Sequence, residues 1–347
     1  MIVFADFHHA GLGRSLRLLC ARLGWDIYFP TGMEWFEKGY WNIAKPYGDS
    51  IDTVRQYLDI DNRYVPKDGT QVLTDVIKST PTHYEIADHA HGDVMKCVTF
   101  EQAKELKPDV IIASIPDHWY TYKRMARIEF PYAKVVAQMG NMFQEVKTAL
   151  QDGTIERLIS STSEFEVGSI PHAFYHQEID QKIFHPRFAN QERLRVTSFV
   201  NCLPASYIYH TYKQALPEYD IRAHGASCPD GSIQTTQEIA DIMTDSLFGY
   251  HVKPGGDGFG HVIHGWAMIG RPLIVKKSYY SGQLAEALLD ESTCVDLDTL
   301  TVNEAVTAIR AASEPQAHAR MVEAMRQKVC AIDYDQIAQE VERVIRT

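Results

Sequence analysis

HVKPGGDGFGHVIHGWAMIGRPLIV, residues 251–275, runs through the end of a strand, a glycine-rich loop, a helix, a tight turn and a second strand. Leu247–Val252 is a short apolar run, as expected of a parallel strand covered on both faces. Val262–Ile269 carries the helix, Gly270 ends it, and Pro272–Val275 is the next strand. A strand that returns through a helix to another strand is the unit of a doubly wound sheet. The glycines at 255, 256, 258 and 260 let a ligand approach the backbone. The helix start beyond them offers N–H groups without intrahelical acceptors and a positive dipole end. Together these favour a phosphate or diphosphate. A plain glycine-rich turn has the same composition, so glycines alone leave both readings open. Asp257, beside such an anion, would accept hydrogen bonds from sugar hydroxyls.

Working outward, the same alternation recurs in two series. The second contains the strand Leu194–Val200 and Ile221–Ala223 leading into the turn His224-Gly225. Thr235 with Glu238, and Thr301 with Glu304, have the spacing of capping boxes. The tail from Asp335 reads as helical and mostly charged. The first series starts with the strand Ile2–Ala5 and a loop holding Gly11 and Gly13. Leu12, Leu16, Leu19 and Leu23 then mark a helical stripe ended by Gly24. Trp25–Phe29, Asp109–Ser114, Lys134–Gln138 and Arg157–Ser161 are further strands. Residues 177–193, charged and containing Pro186, read as a linker. Two such series predict two doubly wound, Rossmann-like α/β domains facing a central cleft. The boundaries expected are 1–180 for the N-terminal domain and 190–330 for the C-terminal domain. Residues 331–347 form a C-terminal helix expected to pack back toward the first. Residues 30–100 have weak strand signals and crowd Trp35, Phe36, Tyr40, Trp41 and Tyr47, so they read as an aromatic-rich insertion.

The 347 residues, at roughly 150 per domain, agree with two domains. A hydrophobic content of 45% and a charged content of 23% exclude disordered and fibrous classes. The net charge of −11 supplies no general pull toward phosphate backbones. No run approaches the roughly 18 apolar residues of a membrane span. The six cysteines (20, 97, 202, 228, 294 and 330) lack CxxC spacing. Reduced thiols in a cytoplasm fit them better than a disulfide framework.

Several groups elsewhere carry chemistry. His8 and His9 follow the first strand, at the edge where open α/β sheets bind ligands. Either could act as general base toward an acceptor hydroxyl, hydrogen-bond a diphosphate or cap the helix. Successive side chains of an extended segment project to opposite sides, so one of the two is expected to be structural. Arg14 and Arg17 follow, to meet a phosphate or solvent. Asp117 and His118, in SIPDHWY, follow another strand end and could pair as orienter and base. His89, His91 and Asp93 in DHAHGD have zinc-ligand spacing, against which a polar surface loop is the plainer reading. The acid pairs Asp59/Asp61 and Asp296/Asp298 weigh little.

Residues 257–272 resemble the donor-binding segment of GT-B glycosyltransferases, whose retaining members read E-G-F-G and then a helix ending A-M-A-x-G-x-P. The matching residues are Asp257-Gly258-Phe259-Gly260 and Ala267-Met268-Ile269-Gly270-Arg271-Pro272. Ile179-Asp180-Gln181-Lys182-Ile183-Phe184-His185-Pro186 is similar to that family's interdomain segment N-G-V-D-x-x-x-F-x-P. The chain departs from the pattern at several places. Asp257 replaces the first glutamate of the motif, and Gly265, with His264 beside it, stands at the second. Met139 stands where a histidine is common. The usual basic pair after the first strand of the second domain has no clear counterpart, with Asn201 near its start and Lys213 late.

The resemblance implies a glycosyltransferase that moves a sugar from a nucleotide-activated donor to an acceptor hydroxyl without a metal or other cofactor. Donor binding falls to Gly11, Gly13, Asp257, Gly258, Phe259, Gly260 and His264. The backbone N–H groups of Phe259 and Gly260 are expected to stabilise the leaving diphosphate. Catalysis falls to His9, His8, Asp117 and His118. The nucleotide sugar is the expected partner; the acceptor, whether small molecule, glycan, protein or modified DNA base, stays open, as does the oligomeric state. The alternatives are a nucleotide-sugar epimerase or hydrolase on the same fold, and a metal-dependent hydrolase using His89, His91 and Asp93.

Overall fold

The computed structural model describes residues 1–6, 10–30, 35, 38–40, 74–88, 93–114, 116–140, 143–162, 167–187, 194–200, 203–225, 227–233 and 235–347. It divides into two compact units, Met1–Glu178 with Tyr334–Thr347, and Ile179–Asp333.

The first unit is built on one sheet. Its strands are β1 (Ile2–Ala5), β2 (Asp26–Pro30), β3 (Thr74–Ser79), β4 (Tyr84–Asp88), β5 (Asp93–Val98), β6 (Val110–Ala113), β7 (Lys134–Met139), β8 (Leu158–Ser160) and β9 (His172–Phe174), in the order β3-β4-β5-β2-β1-β6-β7-β8-β9. Helices α1 (Ala10–Leu23), α2 (Phe100–Leu106), α3 (Pro116–Glu129) and α4 (Phe143–Gln151) connect them. The two-residue period of β1 sorts the core. Val3 and Ala5 pack with Leu16 and Leu19 of α1, whereas Phe4 packs with Trp35 and Tyr122 on the opposite face.

Three expectations change here. The region 30–100 is not wholly an insertion: β3, β4 and β5 join the main sheet, and Trp35 stacks on Phe4 at 4.8 Å between ring centroids. Gly11 and Gly13 lie inside the first turn of α1, not in a loop. The tail is amphipathic, because the C-terminal helix Tyr334–Arg346 buries Val341, Val344 and Ile345 in the first unit's core. The linker expected over 177–193 begins packed: the unit boundary falls between Glu178 and Ile179, and Ile179 and Phe184 are already buried in the second unit's core. The chain leaves the first unit after Glu178 and returns at Tyr334. One guanidinium holds both places. Arg22 of α1 donates to the two Glu178 oxygens, at 3.2 and 2.9 Å, and to Asp335 at 2.5 Å.

The second unit carries a wholly parallel sheet of β10 (Arg195–Phe199), β11 (Asp220–His224), β12 (Phe248–His251), β13 (Leu273–Val275) and β14 (Cys294–Asp296), ordered β11-β10-β12-β13-β14. Its helices are α5 (Leu203–Ala215), α6 (Thr236–Thr244), α7 (His261–Ile269), α8 (Val302–Ser313) and α9 (Pro315–Cys330). In such sheets ligands bind beyond the carboxyl ends of the strands where the winding reverses. That point lies between β1 and β6 in the first unit, and between β10 and β12 in the second.

Candidate active site

The glycine-rich loop occupies the reversal point of the second unit. It consists of two successive turns, closed by Gly256 N–H donating to Lys253 O at 3.0 Å and Gly260 N–H donating to Asp257 O at 3.2 Å. Gly255, Gly256, Gly258 and Gly260 all have φ between +64° and +78°, a region that costs a side chain about 1–2 kcal/mol. The loop delivers the chain to α7, whose N-cap, Gly260, makes no side-chain capping bond. The first N–H groups of α7 have no intrahelical acceptor. The N–H of Gly260 itself is engaged inside the loop, donating to Asp257 O.

Asp257 is held from within the same loop. One carboxylate oxygen meets His251 Nε2, at the end of β12, and the other meets Lys253 Nζ. Burial pushes this carboxyl up, but the hydrogen bonds and charges of His251 and Lys253 outweigh it and hold the group well below the usual carboxylate range. Lys253 places a cation beside the loop, its side chain 37% exposed. Neither His251 nor Lys253 was read from the sequence. The available signal was a polar pair directly after the apolar run Phe248–Tyr250.

Two residues matched to the family motif lie under the loop. His264 is 1% exposed, donates through Nδ1–H to Gly260 O at 3.0 Å, and stacks on Phe259 at 3.9 Å. That packing seats the loop on the first turn of α7. A Cβ on Gly265 would lie 3.3 Å from both Phe184 and Met243 side chains. The motif's second acid position is therefore a packed helix face.

A second polar cluster sits at the reversal point of the first unit. Asp6, immediately after β1, accepts from Ser114 N–H at 2.7 Å, Ser114 Oγ at 2.6 Å and His118 Nδ1 at 2.5 Å. Ser114 follows β6, and its hydroxyl also reaches Gln138 of β7 at 3.5 Å. All four residues are buried. The nearby Tyr122 hydroxyl is held far above its ordinary value by burial and by the Asp6 charge. Asp117 and His118 both lie in the first turn of α3, and His118 Nδ1 meets the carboxylate of Asp6. The Asp117 side chain lies outside the described residues, as do His8 and His9. Asp6, Ser114 and Gln138 were missed, although each polar residue ends or follows an apolar strand run.

The remaining candidates take other roles. Arg17 pairs with Asp93 at 3.0 Å and, like Arg14, is buried rather than solvated. His89, His91, Asp59 and Asp61 lie outside the described residues. Among the described residues no group of three or more His, Cys, Asp or Glu is placed to hold a metal ion. Asp296 accepts from Lys277 N–H and Asp298 from Ser278 N–H, so this acid pair shapes the turn after β13.

No family model and no curated protein matches the sequence. Solved structures do match over the whole chain. Anabaena HepE in complex with UDP and glucose has a TM-score of 0.59 at 10% identity, over 100% of this chain and 99% of its own. Sucrose-phosphate synthase from Thermosynechococcus elongatus has 0.63 at 12%, over 100% and 98%. An alpha-glucosyltransferase in complex with UDP and a 13-mer DNA containing a central A:G mismatch has 0.62 at 11%, over 100% and 99%. With its two Rossmann-like α/β units, the chain has the fold of the GT-B glycosyltransferases.

Proposed function

We propose that this chain is a glycosyltransferase that moves a sugar from a nucleotide-activated donor to an acceptor hydroxyl. The observation that carries the reading is the glycine loop at the reversal point of the second unit, opening onto an uncapped helix with Lys253 beside it. Charge develops on the diphosphate as the sugar leaves. The first-turn N–H groups of α7, its dipole and Lys253 supply positive charge there, and loss of one such donor typically costs about 10²–10³ in turnover. UDP bound to HepE and to the alpha-glucosyltransferase supports a uridine nucleotide sugar as the first donor to try. The donor is a substrate, and the reading calls for no resident cofactor.

In the first unit, His118 backed by Asp6 is the proposed acceptor-side group. His8 and His9 stand as the alternative bases. We place the protein in the cytoplasm, where reduced thiols suit six scattered cysteines without CxxC spacing. No described helix is long and apolar enough to cross a membrane.

A thermal-shift screen against nucleoside diphosphates and their sugars tests the reading. A ligand at 100 times its Kd stabilises by about 2.7 kcal/mol, so the donor should stand out. Release of diphosphate should then depend on added acceptor. No stabilisation by any nucleotide would overturn the proposal, and acceptor-free turnover would replace it with an epimerase or hydrolase.

A further inference from the structure

The connection between β13 and β14 grips the glycine loop from one side. It contains two short 3-10 turns, Lys277–Tyr280 and Leu284–Leu288, with Gln283 between them. Tyr280, fully buried, donates its hydroxyl hydrogen to His251 O at 3.1 Å, fixing the end of β12. The methyl of Ala285 sits where it would lie 3.1 Å from a Cβ on Gly260.

Gln283 makes the central contact. Its Nε2 donates to Gly255 O at 3.2 Å and to Tyr279 O at 3.4 Å, and its Oε1 accepts from Asp257 N–H at 3.3 Å. Two carbonyls require the NH₂ end and one N–H requires the oxygen, so only one orientation of the amide satisfies all three. The side chain is 7% exposed, and it occupies the space where a Cβ on Gly256 would stand. The glycine at 256 and the glutamine at 283 are thus complementary: the first makes room for the amide that ties down the turn around it.

We infer that Gln283 is the positioning residue of the donor loop, holding Gly255–Asp257 in the shape that receives the donor's diphosphate. This rests on the glycosyltransferase reading above. Gln283 acts through the loop backbone, not by touching the donor. Its removal therefore weakens diphosphate recognition while sparing the nucleoside part of the ligand.

The test uses the full chain with UDP, GDP, ADP, CDP and dTDP, and the nucleoside of whichever the wild type prefers. Gln283→Met keeps the volume and removes all three hydrogen bonds. Gln283→Glu keeps an acceptor for Asp257 N–H but sets a carboxylate oxygen against two carbonyls. Titration calorimetry should show nucleoside diphosphate affinity reduced about tenfold or more in both variants. Nucleoside affinity should stay within about twofold, and the amides of Gly255–Gly260 should exchange faster with deuterium. Unchanged diphosphate affinity in both variants would overturn the positioning role and leave the reading of the fold's activity in place. Equal loss for nucleoside and diphosphate would also overturn it, assigning Gln283 to general packing. A wild type that binds none of the five nucleotides would instead remove the glycosyltransferase reading, and this proposal with it.

Discussion

His118 Nδ1 and Asp6 Oδ2 are 2.5 Å apart, with both side chains at most 1% exposed. The pair joins the carboxyl end of β1 to the first turn of α3. Asp6→Ala removes the acceptor that Ser114 N–H, Ser114 Oγ and His118 Nδ1 share, and a buried polar group that loses its partner costs about 1–3 kcal/mol. The variant should therefore lower unfolding free energy by about that amount or more in urea denaturation. A loss below about 1 kcal/mol, the range of solvated pairs, would contradict a closed pair. If His118 takes the acceptor's proton, His118→Gln should also lower turnover by about 10²-fold at unchanged donor affinity.

Gly255 and Gly256 should respond differently to alanine. Both have positive φ, +77° and +66°, and each should incur about 1–2 kcal/mol of backbone strain. A Cβ on Gly255 meets nothing within 4 Å, whereas one on Gly256 collides with the Gln283 amide and the Tyr279 carbonyl. Gly256→Ala should accordingly lower the melting temperature more than Gly255→Ala. Equal shifts in thermal denaturation would mean that the Gln283 side chain yields freely.

Asp257 predicts an acid-side stability loss. Its folded pKa lies below its ordinary 3.8, so its contribution is fully present above that range and disappears as pH falls through the folded value. Asp257→Asn should destabilise the protein at neutral pH, and the gap to wild type should close below about pH 4. A gap independent of pH would show that the charge is not what stabilises. As a site residue, Asp257 should matter more for the sugar. The asparagine variant should lose more affinity for the sugar nucleotide than for the free diphosphate.

His176 gives a pH dependence in a different window. Burial pushes its imidazole from the ordinary 6.5 down to about 4. As pH falls below 6.5, the unfolded chain takes up a proton that the folded chain refuses, and stability declines until pH reaches about 4. His176→Phe should flatten the stability profile over this interval. An unaltered slope in denaturant titrations from pH 7 to about pH 4 would assign the decline to other groups.

The parts of this fold legible in the sequence were those set by local rules. Short apolar runs marked β1, β6, β7, β10 and β12, because strands covered on both faces need no alternation. The capping boxes Thr235/Glu238 and Thr301/Glu304 form as their spacing predicts. The strands β3, β4 and β5 escaped because they form an antiparallel set, with polar residues interleaved as in Thr74-Asp75-Val76-Ile77-Lys78-Ser79. The candidate site was legible only as a loop. Asp6 and His118 are 112 residues apart, and the neighbouring Asp117 offered a nearer carboxylate that pattern reading took first. Gln283 had no signal at all, since its role exists only against the bare backbone of Gly256.

Arg22 fastens the two places where the chain passes between units, and this bears on how the protein can be taken apart. Ile179–Asp333 is one uninterrupted stretch of polypeptide, spliced into a body whose own sequence is split. The inserted body can be expressed as a single fragment with both ends at natural crossings. The host body cannot be obtained by truncation at either side of the insert. Cutting after Glu178 discards the helix that buries Val341, Val344 and Ile345, and with it a wall of the core. A short bridge from Glu178 to Tyr334 would restore continuity, since both ends of the gap already meet at one guanidinium. The host could then be made whole without its guest, and each half could be studied for its own ligands.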